Sequence, residues 1–332
     1  MTNMTINSPR RKTKTKTKRR TPGSLSHGRP PTASSKPAAS LSAKATRTLI
    51  RSHHQLHKAR ARALAENNEA LVQDLDRQIA SLGGLESYQL ASKKGQSKER
   101  GGDSSKVLVE WLTPVLRTLK KSGDSKDRWS KLRLLEVGAL STVNACSCVG
   151  TLDVTRIDLH SREKGILQQD FMQRPLPVCE NEKFHIISLS LVLNYVSDPA
   201  GRGEMLKRTT TFLAPFMGIG KGIAAGDASS VSGGETAGEM LFHNSSFAPC
   251  LFLVLPAACV LNSRYFTEER LLAIMSSLGY QMTQRKLTSK LIFYLWEYSP
   301  RDEEGMKDEV MVFRKEMLNP GRNRNNFTVT LC

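Results

Sequence analysis

The sequence predicts an α/β fold, a doubly wound and mostly parallel sheet with helices on both faces. Three observations predict it. Runs of Leu, Ile and Val recur at strand length: LRLLEVG (Leu132–Gly138), VTRIDLH (Val154–His160), FHIISLSLVLNYV (Phe184–Val196) and CLFLVLP (Cys250–Pro256). Strands apolar on both faces belong to a sheet covered on both sides. These runs alternate with helical spacers such as Arg202–Leu213, the pattern of parallel strands joined by crossovers. Finally, Gly138 stands at the end of the first run and Asp158 at the end of the second, where open α/β sheets bind their ligands.

The elements follow in order. Residues 1–45 are Thr, Ser, Pro, Lys and Arg with almost no large apolar side chains, so they are expected to form a disordered arm. A helical region is expected over 46–130. Leu71, Leu75, Ile79 and Leu82 fall at helical spacing and Gly83-Gly84 stops that helix. The segment YQLASKKGQSKERGGD (Tyr88–Asp103) is polar and glycine-marked. Asp103 or Ser104 then caps a second helix carrying Val107, Leu108, Trp111, Leu112, Val115 and Leu116, which Pro114 should kink or shorten. The sheet domain is expected over 131–300. Its Gly- and Ser-rich stretch 218–246 has no period and reads as a flexible insertion. Thr267 caps a helix with Glu268 and Glu269 in its first turn and Gly279 at its end. Two closing strands, 281–287 and 290–298, pair antiparallel at one edge. The tail 301–332 starts with charged residues and contains NPGRNRNNF (319–327), an expected mobile segment.

Charge is divided unevenly. The chain has 49 Lys and Arg against 31 Asp and Glu, a net charge of +18. Residues 1–65 hold 16 of the basic residues and no acid, which leaves 33 basic against 31 acidic residues for the rest. Such an arm binds phosphate backbones by counterion release and resembles a nuclear or nucleolar address; it also suits a solvated tail. None of the six cysteines (146, 148, 179, 250, 259 and 332) forms a CxxC pair, and no HxxxH pair carries a third ligand, so no metal is expected. No apolar segment follows the N-terminal charges, and the most apolar run, 248–261, falls short of the ~20 residues that span a bilayer. A soluble, intracellular protein without a membrane partner is expected.

The run ending in Gly138 opens on two readings, a cofactor loop or an ordinary buried strand and turn. A dinucleotide loop needs closely spaced glycines so that pyrophosphate can touch backbone, and here the loop continues Ala139, Leu140, Ser141. The chain also lacks a GKS or GKT sequence. A cofactor with adenosine but no phosphates, S-adenosylmethionine, fits a loop with one glycine. Asp158 suits ribose hydroxyls. Asp170, after Ile166-Leu167, suits an adenine amino group, with Phe171 flanking the ring.

The strings LLEVGALS, RIDLHS, QQDFM, ISLSLVLNYVSDPAGRGEML and YQLASKKGQSKERGGDSSKVLVEWL together resemble the fungal 25S ribosomal RNA adenine-N1 methyltransferases, over roughly 49–298 without the insertion. Animal relatives of that family are described as S-adenosylmethionine sensors. The resemblance implies a class I methyltransferase fold with an N-terminal helical cap. It implies S-adenosylmethionine as cofactor and methyl transfer to adenine N1 of large-subunit rRNA, on the pre-ribosome in the nucleus and nucleolus. Gly138 and Asp158 match its cofactor-holding positions, and Asp170 and Phe171 its next motif. Arg100 is assigned to the cofactor carboxylate or an RNA phosphate. Ser190, Asn194 and Tyr195 are the candidates at the reacting base, and Arg202, Lys207 and Arg208 are phosphate candidates on the following helix. The Pro-Pro motif of many exocyclic-nitrogen methyltransferases is missing after Ser190, which agrees with a ring-nitrogen target. Two other readings stay open: a cofactor sensor that binds a protein in place of RNA, and an rRNA assembly factor. Deleting residues 1–45 is expected to weaken RNA binding and flatten its salt dependence in a titration; an unaltered slope would move the RNA surface onto the folded domain.

Overall fold

The computed structural model describes residues 42–95, 102–122, 131–161, 163–215, 217–218, 242–243, 246–299 and 311–332. Residues 1–41 of the expected arm, Arg100 and most of the expected insertion lie outside the described residues, and the last three residues of the expected arm, 43–45, already belong to the first helix. The central element is a sheet of seven strands: β1 (Leu132–Val137), β2 (Leu152–Asp158), β3 (Leu167–Gln168), β4 (Ile186–Ser190), β5 (Cys250–Pro256), β6 (Tyr280–Leu287) and β7 (Leu291–Tyr298). Their order is 3-2-1-4-5-7-6. Strands 1 to 5 run parallel, and β7 enters antiparallel between β5 and β6.

Both faces of the sheet are covered, which explains the apolar runs. Along β5, Leu251, Leu253 and Leu255 enter one core with Leu206, Leu271 and Ile274. The intervening Cys250, Phe252 and Val254 enter the other with Leu108, Leu112 and Val115. Side chains alternate faces along a strand, and each fully buried Leu or Phe contributes about 1.5–3 kcal/mol. Helices α5 (Pro199–Phe212), α6 (Ala257–Leu261) and α7 (Glu268–Ser277) follow β4 and β5 in the chain. Thr267 caps α7 as expected, its hydroxyl accepting from the Arg270 amide at 3.2 Å.

Ahead of the sheet lie α1 (Ala43–Ala65), α2 (Glu69–Ser81), α3 (Gly84–Gly95) and α4 (Ser105–Ser122). The glycine pair ends α2, with Gly83 at φ +83°, but Gly84 then opens α3. Tyr88 is therefore on a helix and not in a polar loop. Leu, Glu, Gln, Ala and Lys form helix readily and outweigh the polar appearance of this stretch. Helix α4 continues through Pro114, which is exposed, so the carbonyl deprived of its donor faces water.

The C-terminal segment departs from expectation. Phe313, Phe327, Val329 and Leu331 are buried in the α5 and α7 core. Gly203 on α5 lets the strap lie flat, because a Cβ there would stand 1.9 Å from the Thr330 carbonyl oxygen. Arg202, read from the sequence as a phosphate ligand, is only 8% exposed. Its guanidinium donates to the carbonyls of Val196 at 2.9 Å and Thr328 at 2.5 Å and stacks on Phe327. Arg208 likewise donates to the Phe171 and Arg174 carbonyls. Both arginines serve packing; Lys207 alone of the three is exposed. Gly203→Ala is expected to cost about 1–3 kcal/mol as an overpacking change and to loosen the strap, measured by denaturant unfolding and by faster proteolysis at the C-terminus.

Candidate active site

The strand order places a switch point between β1 and β4: the chain runs outward through β2 and β3, then returns to β4 on the other side of β1. Crevices form beyond the carboxyl ends of strands at such a point. Gly138, Asp158, Asp170 and Ser190 follow or close the four strands that frame it.

Gly138 has φ +75°, and a Cβ there would stand 2.7 Å from Val192 Cγ2. Conformation and close approach thus both require glycine. The amides of Gly138 and Ala139 donate to the Ile157 carbonyl at 2.8 and 3.1 Å, tying the loop to β2. The rest of the loop is held by side chains and needs no further glycine. Asn144 donates to Glu136 Oε1 at 2.6 Å, and its Oδ1 accepts from the Ser147 amide at 3.2 Å. Arg156 Nη2 donates to Ser147 Oγ at 2.6 Å. Burial raises the pKa of Glu136 above the usual carboxylate range, opposed by the Asn144 hydrogen bond. Burial also pushes the neighbouring Cys146 thiol up to about 12, which leaves it unreactive.

The residues that open α4 reach the segments beyond β1 and the end of β4. Asp103 accepts from the Ala145 amide at 2.5 Å and the Ser105 amide at 2.9 Å. Ser104 and Ser190 share a hydrogen bond of 2.7 Å between their hydroxyls. The sequence reading took Asp103 and Ser104 only as helix caps. That they reach Ala145 and Ser190 depends on tertiary folding. Within β1, Glu136 was the legible signal, a carboxylate inside an apolar strand.

The expected site residues divide. Asp158 is half-buried, and Oδ1 accepts from the His160 amide at 2.9 Å. Asp170 caps a short turn, accepting from the Met172 amide at 2.8 Å. Phe171 does not flank a ligand ring: it is 2% exposed and packs on Phe212, under Arg208. The 3-10 turn that Asp170 caps brings Phe171 into the core. The strand expected through Val196 ends at Ser190, because Leu191 adopts φ +59°, a conformation costing a non-glycine residue about 1–2 kcal/mol. That turn carries Val192 onto Gly138. Asn194 follows, with its Oδ1 buried and unpartnered, an arrangement native proteins rarely leave without a reason. The Tyr195 ring meets Tyr88 of α3 edge-on at 5.9 Å, and Tyr88 stacks on His53 of α1 at 4.6 Å. Among the described residues no cluster of His, Cys, Asp or Glu could hold a metal ion, and no helix is long and apolar enough to cross a membrane.

The sheet order, the single antiparallel strand and the glycine turn after β1 define a class I methyltransferase fold. Comparison with known proteins identifies the branch. The family model for Bmt2, 25S rRNA (adenine(2142)-N(1))-methyltransferase, matches residues 73–329, and the chain belongs to that family. A 25S rRNA adenine-N(1) methyltransferase of Schizosaccharomyces pombe is 34% identical over 85% of this chain and 89% of its own length. The 25S rRNA (adenine(2142)-N(1))-methyltransferase of Saccharomyces cerevisiae is 36% identical over 76% of this chain, which spans 62% of that protein. Among solved structures, the N-methyltransferase NodS from Bradyrhizobium japonicum WM9 in complex with S-adenosyl-l-homocysteine matches with a TM-score of 0.32 and 12% identity, covering 57% of this chain and 88% of that one. A SAM dependent methyltransferase from Aquifex aeolicus matches with a TM-score of 0.35 and 13% identity, covering 64% and 98%.

The crevice fits S-adenosylmethionine. Gly138 presents backbone without a side chain, and the Asp158 and Asp170 carboxylates each accept a backbone amide through Oδ1. Gly138→Ala should reduce cofactor affinity by tenfold or more, because a Cβ at this φ must displace Val192. Asp158→Ala should abolish binding while the fold persists; calorimetry and circular dichroism measure the two effects.

Proposed function

We propose that the protein methylates N1 of an adenine in large-subunit (25S) rRNA, using S-adenosylmethionine. The observation that carries this reading is that the family match, 73–329, spans every strand of the sheet and the residues that open α4 and reach Ala145 and Ser190. S-adenosylmethionine supplies a methyl group already activated on a sulfonium. With it bound, attack by the adenine N1 lone pair would form the N–C bond as the methyl–sulfur bond broke, positive charge would pass from sulfur to the ring, and no proton would need to leave. The protein's task is therefore alignment, which can supply most of the acceleration.

Each residue has a part in that alignment. Gly138, Asp158 and Asp170 hold the cofactor. Asn194 Oδ1, a buried acceptor without a partner, takes a hydrogen bond from the adenine N6 amino group, next to N1. Leaving such an acceptor unpaired costs about 1–3 kcal/mol, which adenine relieves and guanine, with a carbonyl at the same place, does not. Tyr195 offers a ring for the flipped base, steadied by Tyr88, and Ser190 is fixed at the end of β4 by Ser104. Arg100 lies outside the described residues, and its assignment to the cofactor carboxylate or an RNA phosphate rests on the family resemblance alone. The acid-free basic stretch 1–65 supports pre-ribosomal RNA as the partner and the nucleus and nucleolus as the place of action.

The test incubates the full chain with labelled S-adenosylmethionine and large-subunit rRNA from cells lacking the protein, with Asp158→Ala as control. Label recovered as 1-methyladenosine is the expected result. Asn194→Ala should lower transfer by 10²-fold or more while cofactor affinity stays unchanged. Cofactor binding without transfer by the wild type would overturn the enzymatic reading.

A further inference from the structure

We propose that the outer face of α1 is a rail for the phosphate backbone of the RNA substrate. The inference rests on the rRNA reading above and gives that RNA a surface on the folded part of the chain. Helix α1 spans 23 residues and contains no Asp or Glu. Its inner face buries Thr46, His53 and Ala63, and His53 stacks on Tyr88, which in turn meets Tyr195 beside the crevice. On the opposite face Lys44, Arg51 and Lys58 recur every seven residues, with Arg62 one turn further on; all four are exposed. Seven residues are nearly two helical turns, so these cations form one stripe, about 27 Å long at 1.5 Å per residue. None of them is ion-paired among the described residues; the α1 ion pair described, Arg60 with Asp76, lies off the stripe.

The arrangement works against the helix itself. Lys44 sits in the first turn, where the helix dipole disfavours a cation, and no acid stands there to offset it. Lys58 and Arg62, four residues apart, repel each other. Arg62 in the last turn is favoured by the dipole, but Lys44 and the Lys58–Arg62 repulsion are not offset within the helix, and exposed cations left without an ion-pair partner among the described residues suit an external polyanion.

The experiment uses the full chain with Lys44→Gln, Arg51→Gln, Lys58→Gln and Arg62→Gln combined. Its affinity for mixed-sequence single-stranded RNA is measured from 50 to 200 mM KCl. Each phosphate contact contributes about 0.7 to the slope of log K against log salt, so the slope should become shallower by about 3, with S-adenosylmethionine affinity unchanged. An unchanged slope would overturn the proposal. In a second arm, Gln55→p-benzoylphenylalanine, within the stripe, is photo-crosslinked in pre-ribosomal particles. Crosslinks to RNA are expected, and crosslinks confined to proteins would make the face a protein-docking surface and overturn it. The slope requires no methyl transfer, so a wild-type chain that binds cofactor but transfers nothing leaves this test intact.

Discussion

The site depends on one close approach, that of the Gly138 backbone to the Val192 side chain. β1 and β4 are neighbours in the sheet, but their parallel pairing alone does not bring the segments beyond them together. Two residues with positive φ do so: Gly138 turns the chain after β1, and Leu191 turns it after β4. Glycine adopts its turn at little cost, whereas Leu191 stores strain. The Leu191 amide donates to Val254 on β5 at 2.9 Å and helps hold that strain in place. Crevice, glycine loop and the Asn194-Tyr195 turn all follow from this contact.

Several polar groups around it are shared within the scaffold: Asp103 between α4 and Ala145, Asn144 between Glu136 and Ser147, and Arg202 between the Val196 carbonyl and the C-terminal strap. At the strand ends, Asp158 and Asp170 each accept a backbone amide through Oδ1, and Asn194 Oδ1 is buried without a partner. Hydrogen bonds shared between distant segments hold a scaffold in place, which alignment catalysis requires.

The C-terminal strap and the N-terminal helices brace the same turn from two sides. Arg202 ties the Val196 carbonyl to the strap, and Tyr88 packs on Tyr195 from α3. The turn after β4 is thus fixed by parts of the chain far from it in sequence. That is consistent with a mechanism in which position matters more than acid–base chemistry.

The periodic apolar runs and the glycine and aspartate at successive strand ends were legible in the sequence, because a strand buried on both faces has few ways to be written. The strings around them were specific enough to point to the family. The order in which strands pair, the reach of Asp103 and Ser104 to Ala145 and Ser190, and the end of β4 at Leu191 were not legible, since each depends on residues distant in the chain. Phe171, Arg202 and Arg208 show the limit most directly. An aromatic or a cation beside a motif looks functional in one dimension, and only the packed core reveals that its ring or guanidinium is already spent on neighbours. The sequence by itself determined which surfaces had to be buried. Tertiary structure alone decided which polar atoms were left over, because hydrogen bonds are satisfied by proximity in space and not by spacing along the chain.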